Sequence, residues 1–512
     1  MNKLTFDFHS KFFQLFGLCG LSLILGIAFN TSFFQKVFGV NLPIFILLGI
    51  VFGIILAVSY RVTIPKLAYL FFGIAFFFAL LVCIRANALL TFCNISAMFF
   101  FLLLGIIQVT DKTPKSFAAF DYWKTTILPV FFVPPFLKTL QEVLTLKANN
   151  KPRDVAMQII RGSMATLVVV AVLLLLFASA DLVIQDFFQN ILSNSFDVKH
   201  IPELVSRAFF ILFIGGVALG MYAYCFRHPR IHLPEGDRSP VRFVKAIELG
   251  LVLLATNIVF LTFLIIQATN LFGGHATLDR LGITYAEYAQ RGFFELIAAA
   301  LFVALILWIA DKYSVKNTAN EKTAYLFFSS LLLVQTIILM ASAFYRLALY
   351  EGAYGFTTLR LFSHAFIIWM AIALVFFLVK IWLNQKEELF ALATFSTGVI
   401  LLIGLNLLNP DAYMAKEHIE RFSGTAQFDA DFLSERSADA IPVIYKAMLS
   451  EESTSATYED ILRWWVTDRS SPLIVDGQKY NRNFVGWQAY HFSRAKAFQL
   501  LFDISPQGDV SY

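Results

Sequence analysis

Charge is scarce in this chain: Asp, Glu, Lys and Arg make up 15% of its 512 residues, against about a quarter in soluble domains. A chain so poor in charge cannot clothe a large globule in solvated side chains, so a water-soluble fold is excluded for most of it. The net charge of +5 is scattered through short loops and makes no basic stripe, which argues against nucleic acid as a partner. Cysteine is also thin. Cys19, Cys83, Cys93 and Cys225 lie in or beside apolar runs, show no CxxC spacing and have no successor in the polar C-terminus. They read as small buried hydrophobes, without a disulfide framework. Catalytic signatures are missing too. Glu417 and His418 are adjacent in KEHIERF but lack HExxH spacing, and neither a Walker A loop nor a GxSxG elbow occurs. No metal or cofactor is expected, and an enzyme is not indicated.

What is abundant is apolar: 58% of the residues, with a mean hydropathy of +0.70. A hydrocarbon layer about 30 Å thick is crossed by about 20 helical residues. Eleven runs meet that length: 12–30, 42–60, 66–84, 88–109, 162–180, 205–226, 246–270, 292–310, 325–345, 361–379 and 389–408. The first follows Lys3 and Lys11 like a signal peptide, but it is long for an h-region and no A-x-A site follows, so an uncleaved span is expected. The lipid bilayer is thus the first partner. The segment TILPVFFVPPFL, Thr126 to Leu137, is too short to cross and too rich in proline for a regular helix. An interfacial or re-entrant element is expected there, continued by an amphipathic Lys138 to Lys147.

Orientation follows from the basic residues of the short loops. With the N-terminus inside, the inner segments hold 22 lysines and arginines and the outer ones 8, so the tail from Asn409 is expected outside. The chain divides into four N-terminal spans (1–110), a basic cytoplasmic loop (111–161), a main membrane domain of seven spans (162–408) and an extracytoplasmic helical domain (409–512). In that last domain helix patterns run from Asp411 to Phe422, Asp429 to Leu449, Thr457 to Val466 and Phe484 to Phe502. Phe484, Trp487, Tyr490, Phe498 and Leu501 recur near helical spacing as a packed face. The fold class is an all-α polytopic membrane bundle with a small α-helical C-terminal domain.

Polar residues near span ends carry the candidate chemistry, because charge in lipid is costly and usually faces other helices. Tyr350 to Trp369, YEGAYGFTTLRLFSHAFIIW, places Glu351, Arg360, His364 and two tyrosines, Tyr350 and Tyr354, at a glycine-containing turn. Arg291 and Glu295 are four residues apart on one helical face, and Arg346 ends the ninth run. In the proposed topology all share one outer depth. Arg291, Glu295, Arg346, Glu351, Tyr354, Arg360 and His364 therefore form either an ion-pair network that locks helices together or a pocket for a polar or anionic ligand, which arginines hold in fixed geometry. Glu248 has a plainer reading as an interfacial partner of Lys245. Trp464, Trp465, Trp487, Tyr490 and His491 could stack on a carbohydrate or simply form core and interface.

The layout of many spans and an outer C-terminal domain is similar to polyprenyl-phosphate glycosyltransferases, but those carry an acidic residue in the first outer loop and Asn30 to Asn41 has none. A closer likeness lies in YAEYAQRGFFEL, LYEGAYGFTTLRLF, NPDAYMAKEHIERF and LSERSADAIPVI. On these stretches, over about residues 200–445, the chain resembles a bacterial family of polytopic membrane proteins catalogued as domain of unknown function 4173, with its relative 4153. That resemblance implies a bacterial cytoplasmic-membrane location and an outward C-terminal module, and brings no catalytic residues. The expected roles are, first, binding or sensing of a protein, lipid or carbohydrate partner outside the membrane, then a transporter or lipid-handling permease, then an outward-acting enzyme.

Overall fold

In the computed structural model the described residues are 11–110, 122, 125–145, 201–227, 244–272, 293–425, 427–450, 455–469, 472–475, 478–481 and 487–502. Among them ten helices are long and apolar enough to cross a membrane: α1 (Lys11–Phe33), α2 (Asn41–Ser59), α3 (Lys66–Ile84), α4 (Ala88–Thr110), α6 (Ile201–Phe226), α7 (Ala246–Phe272), α8 (Phe293–Tyr313), α9 (Ala319–Tyr354), α10 (Thr358–Trp382) and α11 (Glu387–Leu408). Each falls on a predicted run; the eleventh run, 162–180, lies outside the described residues. The apolar side chains of these helices split between helix–helix contacts and an outer surface of exposed Leu, Ile, Val and Phe. That surface is stable only against lipid.

The end of α1 and the start of α6 meet at one end of the bundle, where the Arg207 guanidinium lies 4.5 Å over the Phe34 ring. The end of α4 lies at the other, where Ile107 and Val109 cluster with Ala68 and Tyr224. The chain therefore leaves α4 and re-enters at α6 on opposite ends of the bundle. Between them, a 3-10 turn (Leu128–Phe132) leads into α5 (Val133–Thr145). Phe132 and Phe136 reach Gly220 and Gly216 inside α6, while Glu142 pairs with Arg227 at its end. The prolines of this segment are absorbed at the turn and first helical residues, where their missing N–H groups cost little.

The C-terminal unit sits on the first of these two ends. It holds α12 (Pro410–Phe422), α13 (Ala430–Ser434), α14 (Ile441–Ser450), α15 (Ser455–Arg469), a hairpin of β1 (Pro472–Val475) and β2 (Gln478–Asn481), and α16 (Phe492–Phe502). Its core joins Ala415, Leu433, Ile441, Ile444, Tyr458, Leu462, Trp465 and Leu501.

Three details depart from expectation. The helix predicted over Asp429 to Leu449 is broken, because Ser437 and Asp439 turn their polar groups to each other and to partners distant in sequence and compete with helical hydrogen bonding. The last helix begins at Phe492, not Phe484, and Trp487 and Tyr490 are exposed instead of packed; Phe484 lies outside the described residues. The hairpin pairs Pro472 with Asn481 and Val475 with Gln478, which leaves two residues between the strands. This short hairpin lies among the helices of the C-terminal unit.

Candidate functional site

α9 has 36 residues, about 54 Å at 1.5 Å per residue, well beyond a hydrocarbon layer. Thr318 and Glu321 form a capping box at its start. Its last turns carry Arg346, Tyr350, Glu351 and Tyr354, so the loop expected from Tyr350 is really helix. The turn is only Gly355 to Thr357. Gly355 ends α9 at φ +75° and ψ 177°, a region essentially closed to residues with a Cβ. A Cβ there would also lie 3.3 Å from the Phe422 ring of the C-terminal unit. Thr357 then caps α10 by accepting the Arg360 N–H.

This sharp reversal sets His364, two turns into α10, against Glu351 of α9, with Nε2 and Oε2 2.7 Å apart. The Glu351 side chain is buried, at 5% exposure, and that of His364 largely so, at 12%. Against a carboxylate the Nε2 nitrogen has to be the donor. That leaves His364 Nδ1 and Glu351 Oε1 buried with no hydrogen-bond partner, an expensive condition for polar atoms. Phe344 packs on the imidazole at 4.3 Å between centroids. Tyr413 of α12 comes close from the C-terminal unit: burial and the carboxylates of Glu417 and Glu351 push its phenol up.

The other predicted members take different places. Arg360 donates to Gly355 O at 2.6 Å and stacks 4.0 Å over the Tyr350 ring. Its guanidinium thus clamps the turn. Tyr354 is 58% exposed and stacks on Tyr350 at 5.1 Å. Arg346 is buried one turn earlier. Glu295 opens α8 with its side chain exposed, and Arg291 lies outside the described residues, so their pairing is untouched by the structure. Glu248 takes the bland role in altered form: its carboxylate accepts the Lys245 backbone N–H at 3.1 Å. The supposed stacking surface splits, with Trp465 and His491 buried and Trp464, Trp487 and Tyr490 exposed.

Sequence reasoning missed the seam above this pair. Asp439, 3% exposed, accepts the N–H groups of Ala86 at 2.7 Å and Asn87 at 3.2 Å, together with the Ser493 hydroxyl. Burial nonetheless holds its pKa above the usual carboxylate range. Asp411 accepts Asn87 Nδ2 at 2.9 Å and the Ser437 N–H. Arg436 donates to Thr358 Oγ1. His491 contacts Arg85 O through Nε2 at 3.2 Å, and burial drives its pKa down to about 4. His418, also pushed down by burial, accepts the Asp429 N–H. Inside the bundle, Asn94 and Asn406 exchange amide hydrogen bonds at 2.8 and 2.9 Å. At the far end Lys380 and Lys316 share Asp311, at 2.8 and 3.2 Å. Polar residues inside apolar runs were the available signal for the asparagines; the partners, hundreds of positions away, had none. No group of three metal-ligating side chains occurs among the described residues.

The model of one protein family, described as a domain of unknown function, DUF4153, matches residues 71–447, and the chain belongs to that family. The match is to the relative named from the sequence, and it begins well before residue 200, the start of the likeness read from the motifs. No curated protein and no solved structure matches the chain.

Proposed function

We propose that this DUF4153 member binds or senses a small polar ligand in the membrane, at the buried Glu351–His364 pair beneath its C-terminal unit. The carrying observation is the two unpartnered atoms, Glu351 Oε1 and His364 Nδ1. Both accept hydrogen bonds when Nε2 holds the ring proton, so the pair is suited to a ligand that brings donors, such as a hydroxyl or ammonium group. Tyr413 makes the C-terminal unit part of the reading, since a ligand that touches both units alters how they dock. The setting we propose is a bacterial cytoplasmic membrane, with the N-terminus inside and the C-terminal unit outside, as the lysine and arginine distribution supports.

The test uses full-length protein in nanodiscs, a panel of sugars, amines and amino acids, and the variants Glu351→Gln and His364→Gln. At least one solute should raise the melting temperature of the wild type, with about tenfold weaker binding in each variant. A wild type that responds to none of them would leave the pair a structural lock.

Transport is the second reading. It is favoured by a second, partly buried ionic cluster, Asp311 with Lys380 and Lys316, at the opposite end of the same α8–α9–α10 group. In liposomes, solute uptake that disappears in His364→Gln at normal binding would favour it over sensing.

A further inference from the structure

At the end of the bundle far from the C-terminal unit, a cavity of about 290 Å³ lies between α7 and α9. Leu249, Gly250 and Leu253 of α7 line one side of it, and Ala324, Tyr325 and Phe328 of α9 the other. Lys316, Asn320 and Glu321, on the approach to α9 and in its first turn, add a polar rim. We propose that this cavity binds one membrane phospholipid, with an acyl chain between the two helices and a zwitterionic, amine-bearing headgroup at the Asn320–Glu321 rim.

Position is the first reason. Ile247, itself part of the lining, is 79% exposed, and Leu251 and Phe327, each next in sequence to a lining residue, are exposed as well. The cavity is therefore continuous with the apolar face that these spanning helices turn to lipid. Its shape is the second. The Val244 N–H donates to Tyr313 O at 3.2 Å and Val244 O accepts the Val315 N–H at 2.9 Å, which ties the start of α7 to the approach to α9. Asn257 Nδ2 donates to Leu253 O at 2.7 Å and Phe328 O at 3.0 Å, which joins the helices at the deep end. Between these ties Gly250 leaves room: a Cβ there would meet no heavy atom within 4 Å. From Ala246 to Leu253 the lining of α7 runs about 10 Å at 1.5 Å per residue. A largely apolar cleft with a few polar groups at one end suits an amphiphile.

Charge at the rim selects the headgroup. Lys316 is engaged by the Asp311 carboxylate at 3.2 Å and the Tyr325 ring at 3.4 Å, so an anionic headgroup gains little from it. Glu321 is held by the backbone N–H groups of Asn317 and Thr318, at 2.7 and 3.1 Å. Neutral donors leave that carboxylate its charge, which suits an ammonium group, and the Asn320 amide has donors for the phosphate. The site shares no residue with the Glu351–His364 pair, at the other end of α9.

Full-length protein is stripped of lipid in detergent and titrated with phosphatidylethanolamine or phosphatidylglycerol, and bound copies are counted by native mass spectrometry. The wild type should hold one phosphatidylethanolamine about tenfold more tightly than phosphatidylglycerol. Gly250→Leu, which fills the open space, should lose that copy, while the stripped variant melts no lower than the wild type. Gly73→Leu, at a glycine of α3 with equally open surroundings, should keep it. Glu321→Gln preserves the helix cap, since glutamine also serves in a capping box, and should bring the two lipids to equal affinity. If Gly250→Leu does not fold, Ala324→Leu narrows the same cavity from α9. The proposal fails if the wild type shows no preferred phosphatidylethanolamine copy, if the cavity-filling variant binds as the wild type does, or if Glu321→Gln leaves the preference unchanged.

Discussion

His491 shows what one buried side chain does to the behaviour of the seam. Its pKa falls from about 6.5 when unfolded to about 4 in place, because burial penalises the imidazolium. Between those values the unfolded chain binds a proton that the folded chain does not, so stability falls as pH drops, by up to about 1.4 kcal/mol per pH unit. Asp439 acts in the opposite sense: its raised pKa lets the folded state take up a proton first, a contribution lost as pH rises. The melting-temperature advantage of wild type over His491→Gln should therefore shrink from pH 7 to pH 5. A constant difference would mean that His491 titrates normally. The histidine was visible in the sequence beside Tyr490, yet it was read with an aromatic surface, because nothing local announces a carbonyl acceptor at Arg85.

At the scale of elements, the α9–Gly355–α10 reversal does the positioning. Span positions were legible from apolar runs, since lipid imposes one length on every crossing helix. The extension of α9 to Tyr354 was not, because its last turns leave the apolar pattern and are held by Gly355, the Arg360 clamp and the overlying Phe422 and His418. Gly355→Ala should cost about 1 to 3 kcal/mol, from the forced backbone conformation and the crowding against Phe422. Thermal unfolding of the purified protein measures it, and loss of any ligand response at Glu351–His364 should accompany it. An unchanged melting temperature would show that the turn relaxes freely.

For the molecule as a whole, the C-terminal unit is joined to the bundle by buried polar contacts: Asp439 with the 85–87 turn, Asp411 with Asn87, and Arg436 with Thr358. Such contacts leave little freedom to either partner, because breaking one strands a buried carboxylate or amide. The unit lies on the end of the bundle that the basic residues assign to the outside, opposite Arg61, Lys316 and Lys386. A fusion at Tyr512 of a reporter active only beyond the cytoplasmic membrane should give signal. A signal confined to a cytosolic reporter would reverse the proposed orientation and move the ligand pair to the inner face.

The order of the spans and the change of character at Asn409 were determined by the sequence alone, because hydrocarbon selects length, hydropathy and satisfied backbone one segment at a time. The crowding of Glu351 and His364 near one turn was legible for the same local reason. Which polar groups meet was decided only by the tertiary structure. Asn94 finds Asn406, Asp439 finds Ala86 and Ser493, and Lys380 finds Asp311 through helix packing, and a buried charge takes its value from the partner that packing brings to it, however far away along the chain.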